Sequence, residues 1–141
     1  MITLQELNPK SYKLDDIQKK NIEILLHRMN QVRILYKKSM IITSGVRTID
    51  HQISIYKEKA VKKEWPFLDG EFDLSKVPLK SMHLIGAACD VLDNDGSLMK
   101  WCRANEHHLV AVGLWVEDDP STPRVHLQIF PPKSGNRFFK P

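Results

Sequence analysis

The segment SMHLIGAACDVLD, residues 81–93, combines a strand pattern with two candidate metal ligands. Its second half has the small and apolar composition of a buried β-strand, and with a period of two Asp90 shares a face with Ala88 and Leu92. The first half places His83 in a turn before this strand. The histidine and the aspartate are either half of a metal site or part of a turn that leads into a buried strand. A metal site needs a third protein ligand from elsewhere in the chain.

The segment RVHLQIF, residues 124–130, is the clearest strand in the sequence and offers that third ligand. Apolar and polar residues alternate along it, and the polar face carries Arg124, His126 and Gln128. If this strand lies beside the first one, Asp90 and His126 project from the same face, and His83 folds over that face. Two imidazoles and one carboxylate suit Zn²⁺ and leave a fourth position open, which is the pattern of a catalytic zinc site.

The remaining pattern predicts further helices and strands. The helices are expected at Leu14–Tyr36, at Asp50–Glu64 and over about ten residues that follow Ser97 as N-cap. The strands are expected at Met40–Thr43 and within residues 109–117. Residues 65–80 contain two prolines and a glycine, which indicates a loop of the kind found around active sites. Because strands and helices do not alternate regularly, we expect an α+β fold with a small antiparallel sheet, the zinc site on one face and helices on the other.

Length and composition fit one soluble domain spanning residues 1–141. The 42% hydrophobic content is sufficient for a core, and no apolar run approaches the roughly 20 residues that span a bilayer. The N-terminus lacks a basic region followed by an apolar block, so we expect no signal peptide, no membrane insertion and a cytoplasmic protein as synthesised. Without an export signal, Cys89 and Cys102 are expected to be reduced thiols.

The charge balance favours polyanionic partners only weakly. The 21 Lys and Arg residues against 17 Asp and Glu residues give a net charge of +4, which would help encounter with nucleic acid, anionic membranes or bacterial wall polymers. No arginine-rich arm or aromatic-basic nucleic-acid motif is present in the sequence. We therefore expect no specific nucleic-acid partner.

Four segments occur in an order that resembles a known enzyme family. They are SGVR (44–47), SMHLIGAACD (81–90), GLWVED (113–118) and RVHLQIFPPKSGNRFF (124–139). Together they resemble the zinc D-alanyl-D-alanine carboxypeptidase and L-alanyl-D-glutamate endopeptidase family, which cuts peptidoglycan stem peptides and shares its core with the Hedgehog signalling domain. The resemblance is closest to small phage-type members, and the SxHxxGxAxD pattern carries it most strongly.

The resemblance implies a role for several side chains. It implies that three of them bind Zn²⁺: His83, Asp90 and His126. It also implies that Arg47 acts in catalysis by pairing with a peptide carboxylate or with the carbonyl oxygen as charge develops there. Gln52 falls where many members place a polar residue on the same helix, and Ser81 is expected to orient a ligand by hydrogen bonding. The expected substrate-binding residues are therefore Arg47, Gln52 and Ser81.

The general base is where the chain departs from the family pattern. Many relatives have a carboxylate three residues before the last histidine, and this chain has Pro123 there, which cannot act as a base. GLWVED resembles the G-L-aromatic-x-E segment of the phage-type branch, so the resemblance assigns the base to Glu117. Asp118 is a close competitor, and Asp119 is the third acid nearby.

The resulting hypothesis is a monomeric zinc peptidase that cuts peptidoglycan peptides. Glu117 would take the proton of the attacking water and pass it to the leaving amine. The alternative is a zinc-containing binding or phage structural module of the same fold without the chemistry. Under this hypothesis three candidate bonds stay open: D-Ala-D-Ala, L-Ala-D-Glu and a species-specific cross-bridge. Phage lysis, infection and cell-wall turnover all stay open as its biological role, and the protein would reach the wall by release or in a phage particle.

Overall fold

The computed structural model describes residues 1–62 and 80–141. Its helices are α1 (Leu4–Leu7), α2 (Asp16–Tyr36), α3 (Ile49–Lys62), α4 (Ser97–Ala104) and α5 (Glu106–Val112). Its strands are β1 (Ile42–Ser44), β2 (Ala88–Leu92), β3 (Trp115–Glu117), β4 (Arg124–Gln128) and β5 (Phe138–Phe139). A 3₁₀ turn at Met82–Ile85 precedes β2. The loop predicted at residues 65–80 lies outside the described residues, apart from Lys80.

Helix α2 follows from its capping residues and its apolar spacing. The Asp15 carboxylate accepts a hydrogen bond from the backbone N–H of Gln18, and the Gln18 side chain accepts one from the backbone N–H of Asp15, which is a reciprocal capping box. The apolar residues that follow at helical spacing are buried: Ile22, Leu25, Met29 and Val32. The predicted helix at Leu14–Tyr36 is therefore confirmed, beginning two residues later. Neither α2 nor any other helix within the described ranges has the length and apolarity needed to cross a membrane.

The described strands form one sheet in the order β1-β2-β4-β3-β5. Strands β2 and β4 are antiparallel neighbours, and Asp90 pairs with His126 in their register. On the other side of β4, the antiparallel strand β3 places Glu117 opposite His126. The α+β class is confirmed, and so is the expected pairing of the strands that carry Asp90 and His126. Three polar residues consequently lie in a row across the centre of the sheet.

The prediction of an entirely antiparallel sheet is wrong for one pair of strands. Strand β5 runs parallel to β3, with Phe138 beside Val116. After β4 the chain reverses through a turn in which the N–H of Gly135 bonds to the Pro132 carbonyl, and Gly135 has a φ of 73°. The returning strand is antiparallel to β4 but pairs with β3 on its far side. It is therefore parallel to β3.

One face of the sheet packs against helices to form the core. The buried sheet residues on this side are Cys89, Val91, Val116, Val125 and Leu127, and the helical ones include Leu25, Met29, Leu98 and Leu109. Because neighbouring strand residues point to opposite faces, the other face of β2 and β4 carries Asp90 and His126. Helix α3 differs from the expected packing, since its Gln52 and Tyr56 line a cleft on the polar face.

The helix predicted after Ser97 begins and ends differently. Gly96 is the N-cap, with a φ of 74°, and Ser97 is the first helical residue. The Asp93 carboxylate accepts hydrogen bonds from two backbone N–H groups of the first turn, at 2.9 and 3.0 Å, and takes the capping role expected of Ser97. The predicted run is divided into two helices, because Asn105 ends α4 and precedes α5.

Both cysteines are free and buried, as expected. Burial raises the pKa of the Cys102 thiol to about 12. Burial also raises the pKa of the Cys89 thiol well above its ordinary value. Neither thiol is therefore ionised at neutral pH, and both act as core residues.

Candidate metal centre

Three candidate ligands converge at the base of a cleft. The Oδ1 atom of Asp90 lies 3.2 Å from Nε2 of His83 and 3.0 Å from Nδ1 of His126. All three ligand atoms lie within 4.8 Å of one another. His83 is 3% exposed and Asp90 is 8% exposed, so the donors face a largely desolvated volume. The predicted convergence is present, and these donors could hold a metal ion.

His83 is held in place by the segment that follows β1. Its Nδ1 lies 2.8 Å from the carbonyl oxygen of Gly45, which can only accept, so Nδ1 donates and Nε2 is the ring nitrogen that faces Asp90. The backbone N–H of Arg47 donates to the His83 carbonyl at 3.0 Å. The Ser81 hydroxyl accepts from the backbone N–H of His83 at 3.3 Å. Ser81 therefore contacts the backbone of this candidate ligand rather than its ring.

Replacing Gly45 with alanine is expected to disturb both the fold and the metal centre. A Cβ at this position would overlap the backbone carbonyl of Leu7, which accepts a hydrogen bond from Val46. Moving this segment would shift the carbonyl that orients His83. We expect Gly45→Ala to lower the free energy of unfolding by roughly 1–3 kcal/mol and to weaken metal binding, measured by urea unfolding and by metal titration.

Gly135→Ala is the matched control for this prediction. A Cβ at Gly135 would meet open space, although its φ of 73° disfavours a side chain. This variant should lose some stability and keep the metal affinity of the wild type. Unchanged stability and metal affinity in Gly45→Ala would contradict the role assigned to this glycine.

Asp90 sets the charges of the metal-free site. Burial alone would raise the pKa of its carboxyl group, but hydrogen bonds from His126 and His83 outweigh burial and hold this pKa well below its ordinary value. Burial lowers the pKa of His83. Burial has the same effect on His126, yet its hydrogen bond to Asp90 more than offsets it, so the pKa of His126 is raised. The carboxylate is thus anionic and shares a proton that a divalent cation could displace.

Arg47 lies at the edge of the same centre. Its Nη2 is 3.6 Å from Oδ2 of Asp90, while its Nε donates to the Ser44 hydroxyl and its Nη1 to Oε1 of Gln52, each at 3.0 Å. Burial lowers the pKa of the guanidinium, and the charge of Asp90 opposes this effect. Gln52 is 1% exposed. Its contact with Arg47 means that α3 helps to aim the guanidinium at the centre.

The three acids after β3 occupy different environments. Glu117 lines the cleft and is half-buried, and burial raises the pKa of its carboxyl group. The Asp118 carboxylate points elsewhere, since it lies 2.8 Å from both Arg103 and Lys140. Asp119 also lines the cleft, but its carboxylate accepts hydrogen bonds from Ser121. Of the two competing candidates for the base, Glu117 is therefore the one beside the ligands.

The cleft above the ligands has a volume of about 540 Å³. Its lining includes Tyr56 and Lys59 from α3, together with Lys80 and Arg124. The carboxylates in the same lining are Asp90, Glu117 and Asp119. The basic side chains of the cleft would attract an anionic group.

Sequence reasoning assigned no role to two residues of the site. Gln128 lies two residues after His126 on the same strand face, and its Oε1 is 2.9 Å from Nε2 of that histidine. Tyr56 lies one helical turn after Gln52 and lines the cleft with it. The i, i+2 spacing on a strand and the i, i+4 spacing on a helix are the signals that could have identified them.

The site therefore joins a His-Asp-His group, a half-buried carboxylate and an oriented arginine in one cleft, each from a separate element of the chain. Such a constellation is a candidate metal centre. Comparisons of the chain with protein-family models, with curated proteins and with solved structures found no match.

Proposed function

We propose that this protein is a zinc metallopeptidase that hydrolyses peptide bonds in peptidoglycan stem peptides. The observation that carries the proposal is the row formed by Asp90, His126 and Glu117 on the adjacent strands β2, β4 and β3. It brings metal donors and a half-buried carboxylate to one cleft, as metal-assisted hydrolysis requires. The resemblance of four ordered motifs to wall peptidases supports the substrate class.

The donor set supports zinc as the metal. Two imidazole nitrogens and one carboxylate oxygen suit Zn²⁺, whereas Ca²⁺ and Mg²⁺ are bound mainly by oxygen ligands. Three protein ligands also leave coordination positions for water and substrate. The same donor set holds iron(II) in some oxygenases. The resemblance of SMHLIGAACD to the zinc peptidase motif and the presence of Glu117 in the cleft favour zinc.

Proton transfer during the reaction would be carried out by a side chain of the protein. When bound, Zn²⁺ supplies Lewis-acid activation of water and of the scissile carbonyl group. Glu117 would accept a proton from the attacking water and return it to the leaving amine. Burial raises the pKa of the Glu117 carboxyl group, which brings this pKa closer to neutral pH and assists the second transfer.

Arg47 and the cleft cations would bind the substrate. The Arg47 guanidinium is held by Ser44 and Gln52, so little ordering is needed when it pairs with a substrate carboxylate or carbonyl oxygen. Lys80 and Arg124 lie along the same cleft. Wall peptides carry free carboxylates, which these cations would attract.

Metal-dependent hydrolysis of purified peptidoglycan tests this function. The zinc-loaded protein should release new amino and carboxyl termini, a chelator should abolish the release, and added Zn²⁺ should restore it. Mass spectrometry of the products would identify the bond among D-Ala-D-Ala, L-Ala-D-Glu and cross-bridge linkages. Zn²⁺ without protein is the control. Stoichiometric zinc binding without new termini would contradict the peptidase and favour a zinc-containing binding or phage structural module.

A further inference from the structure

His126 is held at both of its ring nitrogens. Its Nδ1 faces Oδ1 of Asp90 at 3.0 Å, and its Nε2 lies 2.9 Å from Oε1 of Gln128. Gln128 follows two residues later on β4 and is 5% exposed. A buried amide beside a metal-ligating histidine is a group that can select which nitrogen of the ring carries hydrogen.

The orientation of the Gln128 amide follows from its second contact. The nitrogen end of the amide lies 2.8 Å from the carbonyl oxygen of Phe130. A carbonyl oxygen only accepts hydrogen bonds, so the NH₂ group must face Phe130 and the amide oxygen must face His126. An amide oxygen also only accepts, so Nε2 of His126 must be the donor. The hydrogen on Nε2 is therefore required by the contacts of the amide.

We propose that Gln128 is a positioning residue that holds His126 in the Nε2–H tautomer and so keeps Nδ1 available for the metal. The proposal rests on the metal centre of the proposed function. A neutral imidazole carries hydrogen on one nitrogen only. When a divalent cation displaces the proton that Nδ1 shares with Asp90, the bond to Gln128 keeps the remaining hydrogen on Nε2 and leaves the lone pair on Nδ1. Gly45 has the complementary effect on His83, because it binds Nδ1–H and leaves Nε2 free to face the same carboxylate.

The two imidazole rings therefore face Asp90 through different nitrogens, and each ring is held by a different hydrogen-bond acceptor. His83 is fixed by the backbone carbonyl of Gly45, which substitution does not remove. His126 is fixed by a side chain, which substitution removes cleanly. A substitution of Gln128 can therefore test the role of the His126 tautomer while every candidate metal-binding atom stays unchanged.

Gln128→Met is the test variant, because methionine has similar length and packs well but lacks the amide oxygen. We expect its affinity for Zn²⁺ to fall by roughly 10–100-fold, measured by competition with a chromophoric chelator. Gln128→Glu restores an acceptor oxygen and should recover most of the affinity. Asn30→Leu is the control, since it removes the two hydrogen bonds between the Asn30 amide on α2 and the backbone of Ile2 and should lower stability while leaving zinc affinity unchanged.

The tautomer is read directly by NMR of the zinc-loaded protein with ¹⁵N-labelled histidine. The wild type should show a protonated Nε2 and a metal-bound Nδ1 for His126, and Gln128→Met should lose the protected Nε2–H signal. Coordination through Nε2 in the wild type, or wild-type zinc affinity in Gln128→Met, would overturn the proposal. A wild type that binds no zinc would overturn it together with the metal centre. Zinc bound through Nδ1 without peptide hydrolysis would support the role of Gln128 and reject the peptidase.

Discussion

Asp90→Asn is expected to weaken metal binding by more than about 10²-fold, since even the loss of a residue behind a ligand costs roughly 10–100-fold. Oδ1 of Asp90 lies within 3.2 Å of a nitrogen from both His83 and His126, and it is the anionic donor of the group. Its charge also balances Arg47, whose Nη2 is 3.6 Å away. Without the carboxylate, a divalent cation would meet two neutral imidazoles beside an uncompensated guanidinium.

The measurement is the zinc content per chain after dialysis, together with hydrolysis of peptidoglycan, which should be lost in parallel. Asparagine preserves the volume of the side chain, and circular dichroism would verify that the variant is folded. Asp16→Asn makes the same chemical change at an exposed position in the first turn of α2 and should keep both zinc and activity. Full zinc occupancy in Asp90→Asn would remove the basis for the metal centre.

Much of this centre was predictable because strand alternation is a local rule. The apolar residues of RVHLQIF determine the face on which His126 lies, and an aspartate inside an otherwise apolar strand identifies Asp90. Periodicity does not determine which strands pair, so the adjacency of these two strands was a hypothesis until the register of β2 and β4 confirmed it. Helix α2 was predictable for a related reason, since its capping and its core spacing are both local.

The features that were missed depend on contacts between distant or backbone atoms. The parallel direction of β5 depends on the edge of the sheet to which the chain returns, and no local pattern encodes that choice. Gly45 acts through its carbonyl oxygen, an atom that every residue has. Gln128 was placed on the correct face, but its role depends on the distances to His126 and to the Phe130 carbonyl. The prediction of Ser97 as N-cap was wrong because the carboxylate of Asp93, earlier in the same turn, accepts the hydrogen bonds of the first helical N–H groups.

Glu117→Gln is expected to lower the rate of peptidoglycan hydrolysis by roughly 10²–10⁴-fold while zinc content stays at the wild-type level. Glu117 pairs with His126 across β3 and β4 and lines the cleft, yet it is not one of the three converging donors. Glutamine keeps the shape and cannot accept and return a proton. The measurement is the initial rate of release of new termini from peptidoglycan, normalised to zinc content.

Asp118→Asn is the matched control, because it is the adjacent acid and makes the same chemical change outside the cleft. Its carboxylate pairs with Arg103 and Lys140, so the variant should lose those ion pairs and hydrolyse peptidoglycan at nearly the wild-type rate. Asp119→Asn tests the third acid, which lines the cleft but accepts a hydrogen bond from Ser121. A zinc-replete Glu117→Gln protein at full rate, with the loss falling on Asp118→Asn or Asp119→Asn instead, would assign the base to that neighbour. If only Glu117→Gln loses hydrolytic activity, Glu117 is the residue that accepts the proton of the attacking water. Its register opposite His126 and its partial burial support this role.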